Sequence, residues 1–137
     1  MKEEMAELIR YRIARAREAL DEAGLMFREG HNIATVNRLY YACFYAISAL
    51  LLTDALSSSK HRGIQSLFNQ HYIKTGYLPL SLGVIYNTLF EWRHKGDYDD
   101  FIELDITNIK KWLEEALILV NTISQLTEDK ISKAKET

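Results

Sequence analysis

The chain has one cysteine, one proline and six glycines in 137 residues, little imbalance of charge, and no apolar run long enough to cross a bilayer. Each shortage excludes something. Cys43 sits in the apolar run Tyr41-Ala42-Cys43-Phe44-Tyr45 and has no second cysteine to pair with in the chain. It reads as a small packed hydrophobe in a reducing, cytoplasmic setting. The longest apolar run, Leu39 to Leu52, has 14 residues and includes three tyrosines and a serine. A membrane span needs about 20, so this run reads as a central core helix and no membrane contact is expected. The N-terminus opens on Lys2, Glu3 and Glu4 and soon reaches Arg10, Arg12, Arg15 and Arg17, which argues against a secretory leader. With a net charge of −2 and a pI near 6.1 there is no global positive field. A polyanion site must therefore be local, at the arginines of the first helix, at Lys60-His61-Arg62 or at Arg93-His94-Lys95.

Chemical signatures are equally sparse. There is no His-Glu-x-x-His, no phosphate-binding glycine loop and no Gly-x-Ser-x-Gly, so metal hydrolysis and acyl transfer fall away and no cofactor is expected. The histidines at 31, 61, 71 and 94 are scattered, and His31 and His71 read as surface or capping groups.

What the sequence does carry is helical periodicity. Met5, Leu8, Ile9, Arg12, Ala16, Ala19, Leu20, Ala23 and Phe27 recur at steps of three and four, predicting a first helix to about residue 28. Gly30-His31-Asn32 breaks the pattern. A second helix is expected from about Ile33 to Leu56, apolar on nearly every side from Leu39 onward and so central. Ser57-Ser58-Ser59 offers N-caps for a third helix, striped by Ile64, Leu67, Phe68 and Tyr72 or Ile73 and ended by Gly76. Pro79 suits the first turn of a fourth, with Gly96 marking its end. After an acidic loop from Asp97 to Asp105, Ile106 to Ile123 define a long last helix. The expectation is an all-α bundle of about five helices, a single domain over residues 1–128 followed by a polar tail over 129–137 that can fray.

Two constellations could carry chemistry. Arg38, Tyr41 and Tyr45 fall on one helical face, where a guanidinium beside phenols can bind phosphate or stack on a base; the same trio can equally be a core edge. The segment Arg93-His94-Lys95-Gly96-Asp97-Tyr98 is denser. It sets a fork donor, a group titrating near neutrality and a point charge at a helix C-terminus, which the dipole alone would favour. Asp97 can also pair with Arg93 at i+4 if the helix continues that far.

Asn37-Arg38-Leu39-Tyr40-Tyr41-Ala42-Cys43-Phe44-Tyr45, Lys60-His61-Arg62-Gly63 and Arg93-His94-Lys95-Gly96-Asp97-Tyr98 together resemble the HEPN (higher eukaryotes and prokaryotes nucleotide-binding) family, in its small stand-alone prokaryotic branch. The resemblance implies an antiparallel helical bundle forming a two-fold homodimer, often paired with a minimal nucleotidyltransferase as toxin and antitoxin. It also implies metal-independent ribonuclease activity in many members, through an Arg, four to six residues, then His motif. In such a site His moves a proton at the ribose 2'-hydroxyl or the leaving oxygen and Arg stabilises phosphate charge. Here the three allowed histidine positions after Arg93 hold Tyr98, Asp99 and Asp100, so the motif is absent as written. His94 points about 100° away from Arg93, which makes His61 the better substitute. The branch instead carries Arg, three residues, Asp-Tyr, matched by Arg93, Asp97 and Tyr98.

The candidate catalytic group is accordingly Arg93 with His61 or His94, and with Asp97 orienting Arg93 or His61. The candidate nucleotide or RNA contacts are Arg38, Tyr41, Lys60, Lys95 and Tyr98, with Tyr98 also a candidate for modification by the partner. The primary reading is an RNA-directed toxin-like subunit regulated by a nucleotidyltransferase. Its alternatives are a noncatalytic nucleotide-binding accessory dimer and a helical interaction scaffold.

Overall fold

The computed structural model describes residues 1–136, and among them every regular element is helical: α1 (Glu3–Arg28), α2 (Asn32–Leu52), α3 (His61–Phe68) running into a π-helical turn (Asn69–Ile73), α4 (Leu80–Tyr98) and α5 (Ile106–Glu136). The all-α expectation holds.

α2 is the centre, packing against each of the other α-helices. Twelve of its residues are buried, from Thr35 and Val36 through Leu50 and Leu51, because the sequence offers that helix almost no polar face beyond Tyr40. Its closest neighbour is α1. Ala16, Ala19 and Ala23 of α1 and Ala42 and Ala46 of α2 are all fully or almost fully buried in the main core, and methyl-sized side chains let two helix backbones approach closely. Along α1 the core-facing set includes Ala6, whereas Met5 and Leu8 remain exposed. α1 and α2 join through Glu29 to His31, where Gly30 takes a left-handed φ of 79° and His31 N–H donates to the Met26 carbonyl, a reversal that ends one helix and starts the next within three residues.

Four helix ends differ from the sequence expectation. α2 stops at Leu52 rather than Leu56, because Thr53 turns its hydroxyl onto the Leu50 carbonyl and Ala55 takes a φ of 58°, outside helical space. α3 has no serine side-chain cap. Lys60 occupies the N-cap position, and the Ser58 hydroxyl accepts from the Lys60 N–H while sitting against Gly63. α3 does not run unbroken to Gly76 but widens into the π turn, where Lys74 N–H reaches back five residues to Asn69 and Tyr72 stays buried. The most consequential difference is in α4, which continues through Gly96 to Tyr98. What looked like a charged turn is the last part of a helix, with Asp99 as its C-cap. Gly96 lies in a tight spot there: a Cβ would be 3.3 Å from the Ile33 side chain.

The polar C-terminal segment continues α5, and Ile131 is fully buried beside Ala6, Ile9 and Ala49. Thr137, the last residue of the expected tail, lies outside the described residues.

Candidate functional site

A tyrosine in an otherwise apolar helix must find a partner for its hydroxyl or carry an uncompensated polar group. Tyr40 is fully buried in α2 and solves this by reaching the first residue of α3: its hydroxyl and His61 Nδ1 are 2.7 Å apart. The His61 ring lies 4.7 Å from Phe44 and edge-on to Tyr41, so the imidazole is clamped on two sides by α2 aromatics. From α4, the Arg93 guanidinium lies 4.8 Å from the Tyr40 ring centre and 5.9 Å from that of Tyr41. Three helices thus converge on one tyrosine, and the sequence-distant His61 and Arg93 share it.

Arg93 is held rigidly. Its side chain is only 15% exposed, and Nη1 donates to Asp97 Oδ2 at 3.2 Å, the pairing that continuation of α4 permits. Its Nε is buried without a partner, and among the described residues Nη2 makes no hydrogen bond. A guanidinium with donors to spare beside aromatic faces is suited to a phosphate or a nucleobase. Asp97 engages Arg93 and not His61.

Charge and burial act together on the titrating groups. Burial pushes the Tyr40 phenol up to about 12, so it stays protonated. Burial, and next the nearby Arg93 cation, lower the pKa of His61 from 6.5, favouring neutral imidazole. A histidine with a depressed folded pKa contributes stability that is present above the unfolded value near 6.5 and lost as pH falls through the folded value. Acidification from pH 7 toward 5 is therefore expected to destabilise the protein, and His61→Gln to flatten that part of the profile. Urea midpoints across the range check this, and an identical slope in the variant would refute it.

The other candidates distribute around this centre. Arg38 lies 5.1 Å from the Tyr41 ring centre, extending the aromatic-cation surface, with Asn37 accepting from its Nε and Nη2 and Glu22 at 3.7 Å from Nη1. Tyr45 stays beside Tyr41, with ring centres 5.9 Å apart, and its hydroxyl accepts from Arg15 of α1 at 3.0 Å. Arg38 and Asp97 line a groove of about 740 Å³ whose walls include Ile33, Ile102 and Leu104. His94 turns away from Arg93, as its place on the helix requires, and packs against exposed Tyr98 with ring centres 4.7 Å apart and planes tilted by 45°. His94, Lys95 and Arg62 line a separate cleft of about 420 Å³, and Lys95 is occupied by Glu91 at 3.4 Å and by the Trp92 face. Lys60 is exposed beside His61.

Tyr40 is the residue that sequence reasoning passed over. The available signal was its burial in a helix apolar all round, which demands a hydrogen-bond partner even though the sequence does not say where. No group of three or more His, Cys, Asp or Glu side chains among the described residues is arranged to hold a metal ion. No helix is long and apolar enough to cross a membrane. Cys43 is fully buried, and burial pushes its thiol far up, which removes it as a nucleophile.

The molecule is thus an all-helical bundle presenting a preorganised arginine, a neutral histidine and a wall of tyrosines along the α2–α3–α4 junction. The HEPN domain model matches residues 9–129, and the chain belongs to that family. It is 43% identical to the UPF0332 protein of Thermotoga maritima, the match covering 92% of this chain and 96% of the relative. Two proteins of Methanocaldococcus jannaschii also match. The one named Putative toxin MJ0605 is 31% identical, over 98% of this chain and 93% of its own. The one named Putative toxin MJ0142 is 30% identical over 80% and 74%. Membership in a family that includes toxin-named relatives supports a toxin-like role.

Proposed function

We propose that this protein is the RNA-directed, toxin-like component of a two-protein system with a nucleotidyltransferase partner, acting as a homodimer and contacting RNA through Arg93, His61, Tyr41, Arg38 and Lys60. The observation that carries the reading is the convergence of Arg93 and His61 on Tyr40 from separate helices. It supplies the cation and imidazole pair of a metal-independent ribonuclease by tertiary packing, although the family's sequence motif is missing. Tyr41 and Arg38 continue the same surface with a ring and a second guanidinium, a combination suited to unstacked bases and their phosphates.

A second reading, a noncatalytic nucleotide-binding accessory subunit, draws support from the Arg93–Asp97 ion pair, which gives part of the arginine a structural duty. Incubating the purified protein with single-stranded RNA and a metal chelator separates the two. Cleavage by the wild type that is lost in His61→Ala supports the ribonuclease. Binding without cleavage supports the accessory role. Neither binding nor cleavage, in a protein shown to be folded, overturns the RNA-directed reading altogether.

A further inference from the structure

Past His61, α3 and its π turn face α4 across a groove that the RNA contacts above leave unused. Two cavities of about 570 and 420 Å³ open along it, and Asn87 of α4 lines both. Asn69 lines the first and Gln65 the second. Across the groove Gln65 Nε2 donates to Asn87 Oδ1 at 2.9 Å, and Asn69 Nδ2 donates to the same oxygen at 3.3 Å. We propose that this carboxamide cluster is a base-reading subsite, which takes an unstacked adenine of single-stranded RNA by its N6 and N7 edge while Arg62 holds a neighbouring phosphate.

What the cluster can bind follows from the polar atoms it leaves open. Two amide donors converge on Asn87 Oδ1, so both of its lone pairs are occupied. Among the described residues Asn87 Nδ2, Gln65 Oε1 and Asn69 Oδ1 have no hydrogen-bond partner. The cluster thus offers an amine and carbonyl oxygens together, and a matching edge must accept at one atom and donate at the next. Adenine does so with N7 and its N6 amine, the edge that carboxamides pair with. Guanine presents two acceptors there, N7 and O6, and would leave the carbonyl oxygens unmatched. Asn87 is exposed, and unpaired RNA is the form in which a base can be splayed out to reach it. Charge along the groove favours a polyanion. Arg62 lies at one end, its guanidinium 5.6 Å from the Phe90 ring centre and in no ion pair among the described residues, and Lys74 lies at the other. Glu91, the one acid lining either cavity, is engaged by Lys95 at 3.4 Å. Phe90 also meets Tyr40 edge-on with ring centres 5.8 Å apart, which joins the groove to the surface of His61 and Arg93. A strand held at that pair continues past Arg62 to Asn87. The subsite rests on the RNA-directed reading above and adds to it a preference for one base.

Fluorescence anisotropy of the full chain with short oligouridines, unbroken or carrying a single internal adenine, guanine or 7-deazaadenine, reads the preference directly. The adenine strand should bind about tenfold more tightly than the others, the size of a good bidentate base contact. 7-Deazaadenine keeps the amine and lacks N7, so it should behave like uridine. Asn87→Asp keeps an oxygen for Gln65 and Asn69 and removes the amine. Its carboxylate weakens every strand alike, so the ratio of adenine to uridine affinity is the readout, and it should fall to about one. Arg62→Ala should weaken all strands, lower the salt slope by about 0.7 and leave that ratio unchanged. Equal binding of the adenine and uridine strands by the wild type would overturn the proposal, as would a preference that survives 7-deazaadenine or a folded Asn87→Asp protein. A lower melting temperature in Asn87→Asp with an unchanged ratio would mark the cluster as a clamp between helices and overturn it too. Binding without base preference defeats the subsite and leaves the RNA reading standing, whereas no binding of any strand defeats the RNA reading itself.

Discussion

Replacing Arg93 by alanine is expected to weaken binding of single-stranded RNA by about one to two orders of magnitude, and to remove any cleavage with it. Hydrogen bonds to charged groups contribute ~1.5–3 kcal/mol each, and 1.4 kcal/mol is a factor of ten in affinity. Of the Arg93 nitrogens, Nε is buried and Nη1 is on Asp97, so Nη2 is the donor left for RNA, with the guanidinium lying over the Tyr40 and Tyr41 rings. The same substitution also costs the fold, since a largely desolvated cation stacked on an aromatic ring contributes about 2 kcal/mol. Thermal melts must therefore accompany the binding curves. Arg93→Lys separates the two effects, because it restores the charge and loses the planar fork, and binding should recover only in part. Asp97→Asn gives the complementary control. An asparagine oxygen can still accept from Arg93 Nη1, so the loss should be about 1 kcal/mol, and the protein should stay folded and bind RNA at least as tightly. Wild-type affinity in a folded Arg93→Ala protein would remove Arg93 from the binding surface.

The second large effect is expected at Gly63. A Cβ placed there would sit 2.0 Å from the Ser58 hydroxyl oxygen and 2.6 Å from its Cβ, well inside contact distance. Gly63→Ala must therefore push the segment before α3 away from the helix, an overpacking cost of about 1–3 kcal/mol. His61 is two residues upstream, so its contact with Tyr40 should loosen as well. Pairing the change with Ser58→Gly removes both clashing atoms and should return most of the lost stability, as read by the urea midpoint. Ser58→Ala should return less, because its Cβ remains. If Gly63→Ala melts with the wild type, α3 does not depend on this close approach.

Both predictions concern positions that the sequence displays but does not explain. The helices were legible because their cause is local: the periodic apolar residues of α1, α2 and α5 each bury a stripe whose spacing can be counted along the chain. Helix ends were less legible. Gly96 carries the usual signal of a terminus, yet α4 passes through it, and the residue takes no left-handed φ but packs close to Ile33. Ser57 to Ser59 look like caps, and Ser58 instead braces Gly63. At the site, Arg93 and Asp97 could be paired from their i+4 spacing, and the turned-away His94 followed from helix geometry. The contact of Tyr40 with His61 could not be found that way, because it joins two helices across 21 residues. No periodicity encodes a contact of that kind.

The three-residue reversal between α1 and α2 has a kinetic consequence. Neighbouring helices joined so briefly lose little loop entropy on meeting, so this pair is expected to assemble early and open last. His61 and Arg93 belong to α3 and α4, which must close against that platform afterwards. Their meeting at Tyr40 is therefore a late event, and the short α3 can detach while the α1–α2 hairpin stays intact. Hydrogen exchange would show this as early labelling of α3 amides against a slow α2. The functional surface would then exist only in chains that have finished folding.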